Sequence, residues 1–189
     1  MPNATNNEHL ALYSGTFDPI TLGHLDVLKR ARKMFDRIIL AIGENPDKVS
    51  LFSPQERIDM AQSLIDEIIA SQPNDAPVEV EHYSGLTVDF ALQTNASAIL
   101  RGIRNVSDLA AECQLAITNR VLGIETVFIV TGETFAFTSS SLIKQVAALG
   151  GSLDRLDAFV PPLVIERLRE KRDDPSNPLG RLARDQLVE

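Results

Sequence analysis

Ser14-Gly15-Thr16-Phe17-Asp18-Pro19-Ile20-Thr21-Leu22-Gly23-His24 lies between a short apolar segment and a segment of helical spacing. Upstream, His9 to Ser14 is apolar enough for a buried strand, and downstream Leu25, Leu28, Ala31, Arg32 and Phe35 recur at helical intervals. Thr21-x-Gly23-His24 therefore falls where a helix begins. A helix start presents unpaired backbone N–H groups and a partial positive charge, which together hold an anionic phosphate without any side chain. Glycine at that point lets the phosphate come close. The same dipole disfavours a cationic imidazole, so His24 is expected to be neutral and to donate one hydrogen bond to a phosphate oxygen. That makes His24 an electrostatic stabiliser rather than a base. Thr and Gly are also ordinary capping residues, so Thr-x-Gly-His taken alone is an evenly balanced signal.

Composition narrows the class. A chain of 189 residues suffices for one well-cored domain, read here as residues 9–171, with a flexible tail over 1–8 and a loosely ordered extension over 172–189. Lys and Arg number 18 against 26 Asp and Glu, a formal charge of −8. Such a surface repels polyanions, so nucleic acid is not an expected partner, although a few cations focused in a cleft still attract a small anionic substrate. The single cysteine, Cys113, excludes an intrachain disulfide and a thiolate metal cluster. No apolar run approaches the ~20 residues of a membrane span and no leader is visible, so a cytoplasmic protein is expected.

Along the chain, strand and helix patterns alternate. Arg37 to Gly43 is a continuous apolar run suited to a strand covered on both faces. Ser53-Pro54-Gln55-Glu56 combines an N-cap, a first-turn proline and a capping-box glutamate, opening a helix through about Ala70. Val78 to Tyr83, Ala98 to Leu100 and Thr126 to Val130 read as further strands. Thr87 to Gln93, a segment capped by Ser107 or Asp108 and running through Leu122, Ser139 to Leu149, and Pro162 to Lys171 read as helices. The alternation predicts an α/β fold, a Rossmann-like doubly wound five-stranded parallel sheet with helices on both faces, for which the strand order is taken as 3-2-1-4-5. The ligand of such a sheet sits outside the carboxyl ends of the strands, where the order reverses. There the loop Thr16 to His24 after the first strand meets Arg101-Gly102-Ile103-Arg104 after the fourth. Paired guanidinium forks suit phosphate oxygens, and Gly102 lets the backbone approach. Lys48, in the loop after the second strand, is either a solvated lysine or a clamp over an anion.

Gly-Thr-Phe-Asp-Pro ahead of Thr-x-Gly-His resembles the nucleotidyltransferase superfamily. Arg101-Gly102-Ile103-Arg104, Asp108, Glu112-Cys113-Gln114-Leu115-Ala116, Asn119-Arg120 and Thr138-Ser139-Ser140-Ser141, in that order, closely resemble the bacterial phosphopantetheine adenylyltransferases. The resemblance runs from about Leu10 to Leu168. It implies reversible adenylyl transfer from ATP to 4'-phosphopantetheine, giving dephospho-coenzyme A and pyrophosphate. By the same resemblance Thr16 and His24 contact the reacting phosphates, Lys48 and Arg101 hold the acceptor phosphate, and backbone around Thr87 lines the pantetheine arm. Phe17, Gly102, Ile103, Arg104, Glu112 and the loop Phe135, Ala136, Phe137, Thr138, Ser139, Ser140 and Ser141 bind ATP. The resemblance further implies a homohexamer and coenzyme A as a feedback ligand. Departures are modest: Ser14, Leu22 and Ala111 stand where family members commonly carry other residues.

The chemistry asks little of side chains. A phosphate monoester supplies its own charged oxygen, so in-line attack needs alignment and charge neutralisation rather than a general base. Mg2+ is expected to enter with ATP, held by phosphate oxygens and water. Asp18 is expected to cap local backbone N–H groups rather than bind metal. Two other readings stay open at this point: another acceptor, such as nicotinamide mononucleotide, and a catalytically silent nucleotide-binding module. The absence of Gly-x-Gly-x-x-Gly after the first strand argues against a dinucleotide-dependent oxidoreductase.

Overall fold

A computed structural model of the chain describes residues 8–44, 50–174, 176, 177 and 179. Five strands, β1 (Leu10–Gly15), β2 (Arg37–Gly43), β3 (Val78–Tyr83), β4 (Ala98–Ile103) and β5 (Thr126–Val130), form one sheet. Every neighbouring pair is parallel, as the alternation predicted, and the order is the expected β3-β2-β1-β4-β5. The helices are α1 (Leu22–Ala31), α2 (Pro54–Ser71), α3 (Thr87–Gln93), α4 (Val106–Val121), α5 (Ser140–Ala148) and α6 (Pro162–Asp173). Short 3-10 turns at Glu133–Phe135 and Leu153–Leu156, which the sequence pattern does not signal, complete the chain path.

The period of two along a strand sorts the apolar residues onto two faces. Ala11, Tyr13, Ile38, Leu40 and Ile42 pack with buried residues of α1, α2, α5 and α6, while Leu10, Leu12, Ile39 and Ala41 pack with Val88 and Ala91 of α3. Continuous apolar strands thus report two covered faces, as Arg37 to Gly43 suggested. The α2 capping box forms as read: Ser53 Oγ accepts from Glu56 N and the Glu56 carboxylate accepts from Ser53 N. At the other end of α2, the fully buried Arg32 donates to the carbonyls of Ile68, Gln72, Asp75 and Ala76. A cation there satisfies orphan carbonyls and opposes the negative helix end.

Several boundaries differ from the sequence reading. β4 runs on through Ile103, so Arg101 and Gly102 belong to the strand and only Arg104 follows it. Its last residues keep extended pairing with β5, Arg101 opposite Phe128 and Gly102 opposite Ile129, which a polar residue in the sequence conceals. The cap of α4 is Asn105, whose side chain accepts from Asp108 N, not Ser107 or Asp108. At the carboxyl end α6 extends through Asp173, and Asn177 and Leu179 are buried, Leu179 within the main core. Among the described residues no helix is long and apolar enough to cross a membrane.

Candidate active site

A cleft of about 270 Å³ opens at the carboxyl ends of β1 and β4, where the strand order reverses. Four segments meet there: the end of β1 with Gly15, Thr16 and Phe17; the start of α1 with Thr21, Gly23 and His24; the end of β4 with Arg101, Gly102 and Arg104; and Thr138, Ser139, Ser140 and Ser141 at the start of α5. Asp108 and Glu112 of α4 form a further wall. Two helix N-termini, those of α1 and α5, thus reach one cleft. The positive ends of their dipoles favour an anion there, although Leu22 N, His24 N and Leu142 N already donate to Phe159 O, Thr21 Oγ1 and Ser139 Oγ.

His24 is held by a reciprocal cap. Thr21 Oγ1 accepts from His24 N at 3.3 Å, and His24 Nδ1 accepts from Thr21 N at 3.0 Å. An Nδ1 that accepts a backbone N–H carries no proton, so the proton of the neutral ring sits on Nε2, leaving that atom as the donor. Burial above all, and then the positive charges of Arg104 and Arg101, push the His24 pKa down to about 4. Burial, where the sequence reading named the helix dipole, is the main cause of the lowered pKa. Phe17 meets the His24 ring edge-on, centroids 5.1 Å apart, and Tyr13 lies edge-on to Phe17. Burial pushes the Tyr13 phenol well above its ordinary pKa, which keeps it neutral.

Both arginines are clasped by α4. Arg101 donates through Nε (2.7 Å) and Nη2 (2.6 Å) to the Glu112 carboxylate, and through Nη1 (2.6 Å) to Ser14 O. Arg104 donates through Nε (2.6 Å) and Nη2 (2.8 Å) to Asp108, and through Nη1 (2.7 Å) to Thr138 O. A guanidinium has five N–H groups, so each arginine keeps two after these three bonds. Asp108 and Glu112 stand one turn apart on α4 and hold the two forks side by side. The clasp by Glu112 was not foreseen, nor was that by Asp108, although the i, i+4 spacing of Arg104 and Asp108 is a legible signal.

Gly102 serves packing as well as access: a Cβ there would stand 3.0 Å from Val27 Cγ2, so the glycine lets α1 lie directly on β4. Gly23 likewise admits the 3-10 turn, since its Cβ would lie 3.2 Å from Phe135 Cβ. Thr138 Oγ1 is buried and has no hydrogen-bond partner among the described residues. Asp18 does cap backbone N–H groups, but distant ones: Leu51 N and Phe52 N, besides Lys144 Nζ. Among the described residues no group of three His, Cys, Asp or Glu side chains converges.

The structure brings Thr16, Phe17, His24, Arg101, Gly102, Arg104, Glu112, Thr138, Ser139, Ser140 and Ser141 into one cleft. Ile103, Phe135, Ala136, Phe137 and Thr87 do not line it. Ile103 is buried, Phe137 is 86 % exposed, and Thr87 begins α3 with its hydroxyl 2.7 Å from Tyr83 Oη. Lys48 lies outside the described residues.

Residues 12–146 match the family model described as cytidylyltransferase-like. A phosphopantetheine adenylyltransferase of Desulfatibacillum aliphaticivorans is 50 % identical over 169 residues, covering 88 % of this chain and 91 % of that protein. One from Rhodopirellula baltica is 46 % identical over 169 residues, covering 88 % and 90 %. Among solved structures, Plasmodium falciparum nicotinic acid mononucleotide adenylyltransferase complexed with NaAD superposes with a TM-score of 0.64 at 17 % identity, covering 88 % of this chain and 97 % of that one, a likeness of fold. With half of the 169 aligned residues identical across nearly the full length of a relative, the chain belongs to the phosphopantetheine adenylyltransferases within the cytidylyltransferase-like family.

Proposed function

We propose that this protein transfers an adenylyl group reversibly from ATP to 4'-phosphopantetheine, giving dephospho-coenzyme A and pyrophosphate. One observation carries the reading furthest: a neutral histidine, its remaining ring N–H available, beside two helix N-termini in a single cleft at the sheet's switch point. The acceptor's phosphate oxygen attacks the α-phosphorus of ATP in line, and the bond from that phosphorus to the bridging oxygen of pyrophosphate breaks. No proton needs removal from the nucleophile, which fits a cleft whose two carboxylates, Asp108 and Glu112, are both engaged by arginine.

In this reading Thr16 and His24 meet the reacting phosphates, and His24 donates to charge that grows in the transition state. Arg101 uses its free N–H groups, together with Lys48, to hold the acceptor phosphate, and the region of Thr87 lines the pantetheine arm. Phe17, Gly102, Ile103, Arg104, Glu112 and residues 135–141 receive ATP. The arginines of the cleft are matched by Asp108 and Glu112, so ATP brings in more negative charge than these side chains offset. A divalent ion such as Mg2+, entering with ATP, would neutralise part of that charge through phosphate oxygens and water. Coenzyme A, which contains the product, is the expected feedback ligand, and a cytoplasmic homohexamer the expected form. Supporting assembly, α4 has no buried residue and exposes Val106, Leu115, Ile117 and Val121.

The deciding experiment is pyrophosphate release from Mg-ATP with 4'-phosphopantetheine and nicotinamide mononucleotide offered in parallel. Release only with phosphopantetheine, with dephospho-coenzyme A formed, is the expected result. Release only with the mononucleotide moves the acceptor, and ATP binding without turnover makes the protein a binding module.

A further inference from the structure

We propose that Asp18, paired with Lys144, is a positioning residue for the transfer, keeping the Thr16–His24 loop and the start of α5 in register. The proposal rests on the adenylyl-transfer reading. Asp18 is 3 % exposed, yet its carboxylate joins three segments distant in sequence. Oδ1 accepts from Phe52 N at 2.9 Å, and Oδ2 accepts from Leu51 N at 3.0 Å and from Lys144 Nζ at 2.6 Å. A buried carboxylate is costly unless paired and hydrogen-bonded, and here it is both.

Lys144 stands one helical turn after Ser140, on the same face of α5. Ser140 Oγ donates to Pro19 O at 2.8 Å, so α5 is fastened to Asp18-Pro19 at two levels. Its first turn carries Ser139, Ser140 and Ser141, which line the cleft. On the other side of Phe17, the buried Arg57 donates through Nη1 to Thr16 O at 2.8 Å and to Gly43 O at 3.0 Å. Between these anchors Phe17 has φ +46°, a left-handed conformation that an aromatic residue holds only when its flanks are fixed. The Phe17 ring in turn abuts His24. A shift of Asp18 therefore reaches both halves of the phosphate cradle, the His24 side through Phe17 and the serine side through Lys144. In-line transfer is sensitive to such shifts, since about 1 Å of misplacement can cost on the order of a hundredfold in rate.

The test is steady-state kinetics of Lys144→Met, Lys144→Arg, Asp18→Asn and the Asp18→Asn/Lys144→Met double variant, at a temperature where circular dichroism shows each fully folded. Lys144→Met is expected to lower kcat on the order of tenfold or more, with the KM for phosphopantetheine changed by less than about threefold. Lys144→Arg should keep most of the turnover, and the double variant should be no slower than Asp18→Asn. If Asp18→Asn does not fold, the contrast of Lys144→Met with Lys144→Arg decides alone. A Lys144→Met enzyme with a lowered melting temperature but unchanged kcat and both KM values would overturn the proposal, leaving the pair a structural tie. Wild-type protein assayed alongside separates the two readings: if it makes no dephospho-coenzyme A, the functional reading falls and this one with it.

Discussion

His24 shows how one side chain's surroundings fix its chemistry. With Nδ1 accepting from Thr21 and a pKa near 4, it stays neutral across the physiological range. Two outcomes follow. His24→Ala should lower kcat by roughly a hundredfold to a thousandfold, the loss typical of one preorganised donor, and weaken ATP binding far less. A variant with unchanged turnover would remove His24 from the mechanism. Its titration also bears on stability. Below its ordinary pKa of 6.5 the unfolded chain protonates this histidine, whereas the folded protein resists until about pH 4. Stability contributed by the neutral ring is therefore lost as pH falls through that window. Urea unfolding at pH 7 and pH 5 should show a smaller difference for His24→Asn than for wild type. The residue and its neutrality were legible in Thr21-x-Gly23-His24; the tautomer was not, because it depends on which ring nitrogen turns back to the Thr21 N–H.

Elements carry tighter constraints than their sequences announce. Arg32 reads as one more helical residue, yet it collects four carbonyls at the end of α2 and the turn beyond. Arg32→Met should destabilise the fold by roughly 3 kcal/mol or more, since buried carbonyls lose their donor; chemical denaturation measures it. Gly102→Ala should cost about 1–3 kcal/mol by pressing a methyl against Val27. The double variant with Val27→Ala should be less destabilised than the sum of the singles, as contacting residues couple. Local pattern placed β2, β3, α3 and β5 at their observed bounds because each is punctuated by turn residues. It stopped β4 at Leu100 because Arg101 breaks the apolar run, although Arg101 is paired through Glu112 and so tolerates the strand's end. It also passed over Asn105, since three neighbouring residues are equally able to cap a helix.

Across the assembly of elements, α4 is the anomaly: it holds Asp108 and Glu112 to the cleft and, on its opposite side, leaves Ile117 and Val121, one turn apart, exposed. On the proposed assembly this outward face meets another copy of the chain. Ile117→Asp should shift the sedimenting species to a smaller size in analytical ultracentrifugation, and an unchanged species would place the contact elsewhere. The net charge of −8 agrees with a protein that draws an anion only into a focused cleft. Fold class and the segments that build the cleft follow from the chain's own periodicity and motifs, because alternating strands and helices with short links admit few right-handed windings. Partner choice within the cleft does not follow from them. The clasp of Arg101 by Glu112 and Ser14 and the Asp18–Lys144 tie join residues from 11 to 126 positions apart, and such contacts exist only once packing brings their segments together.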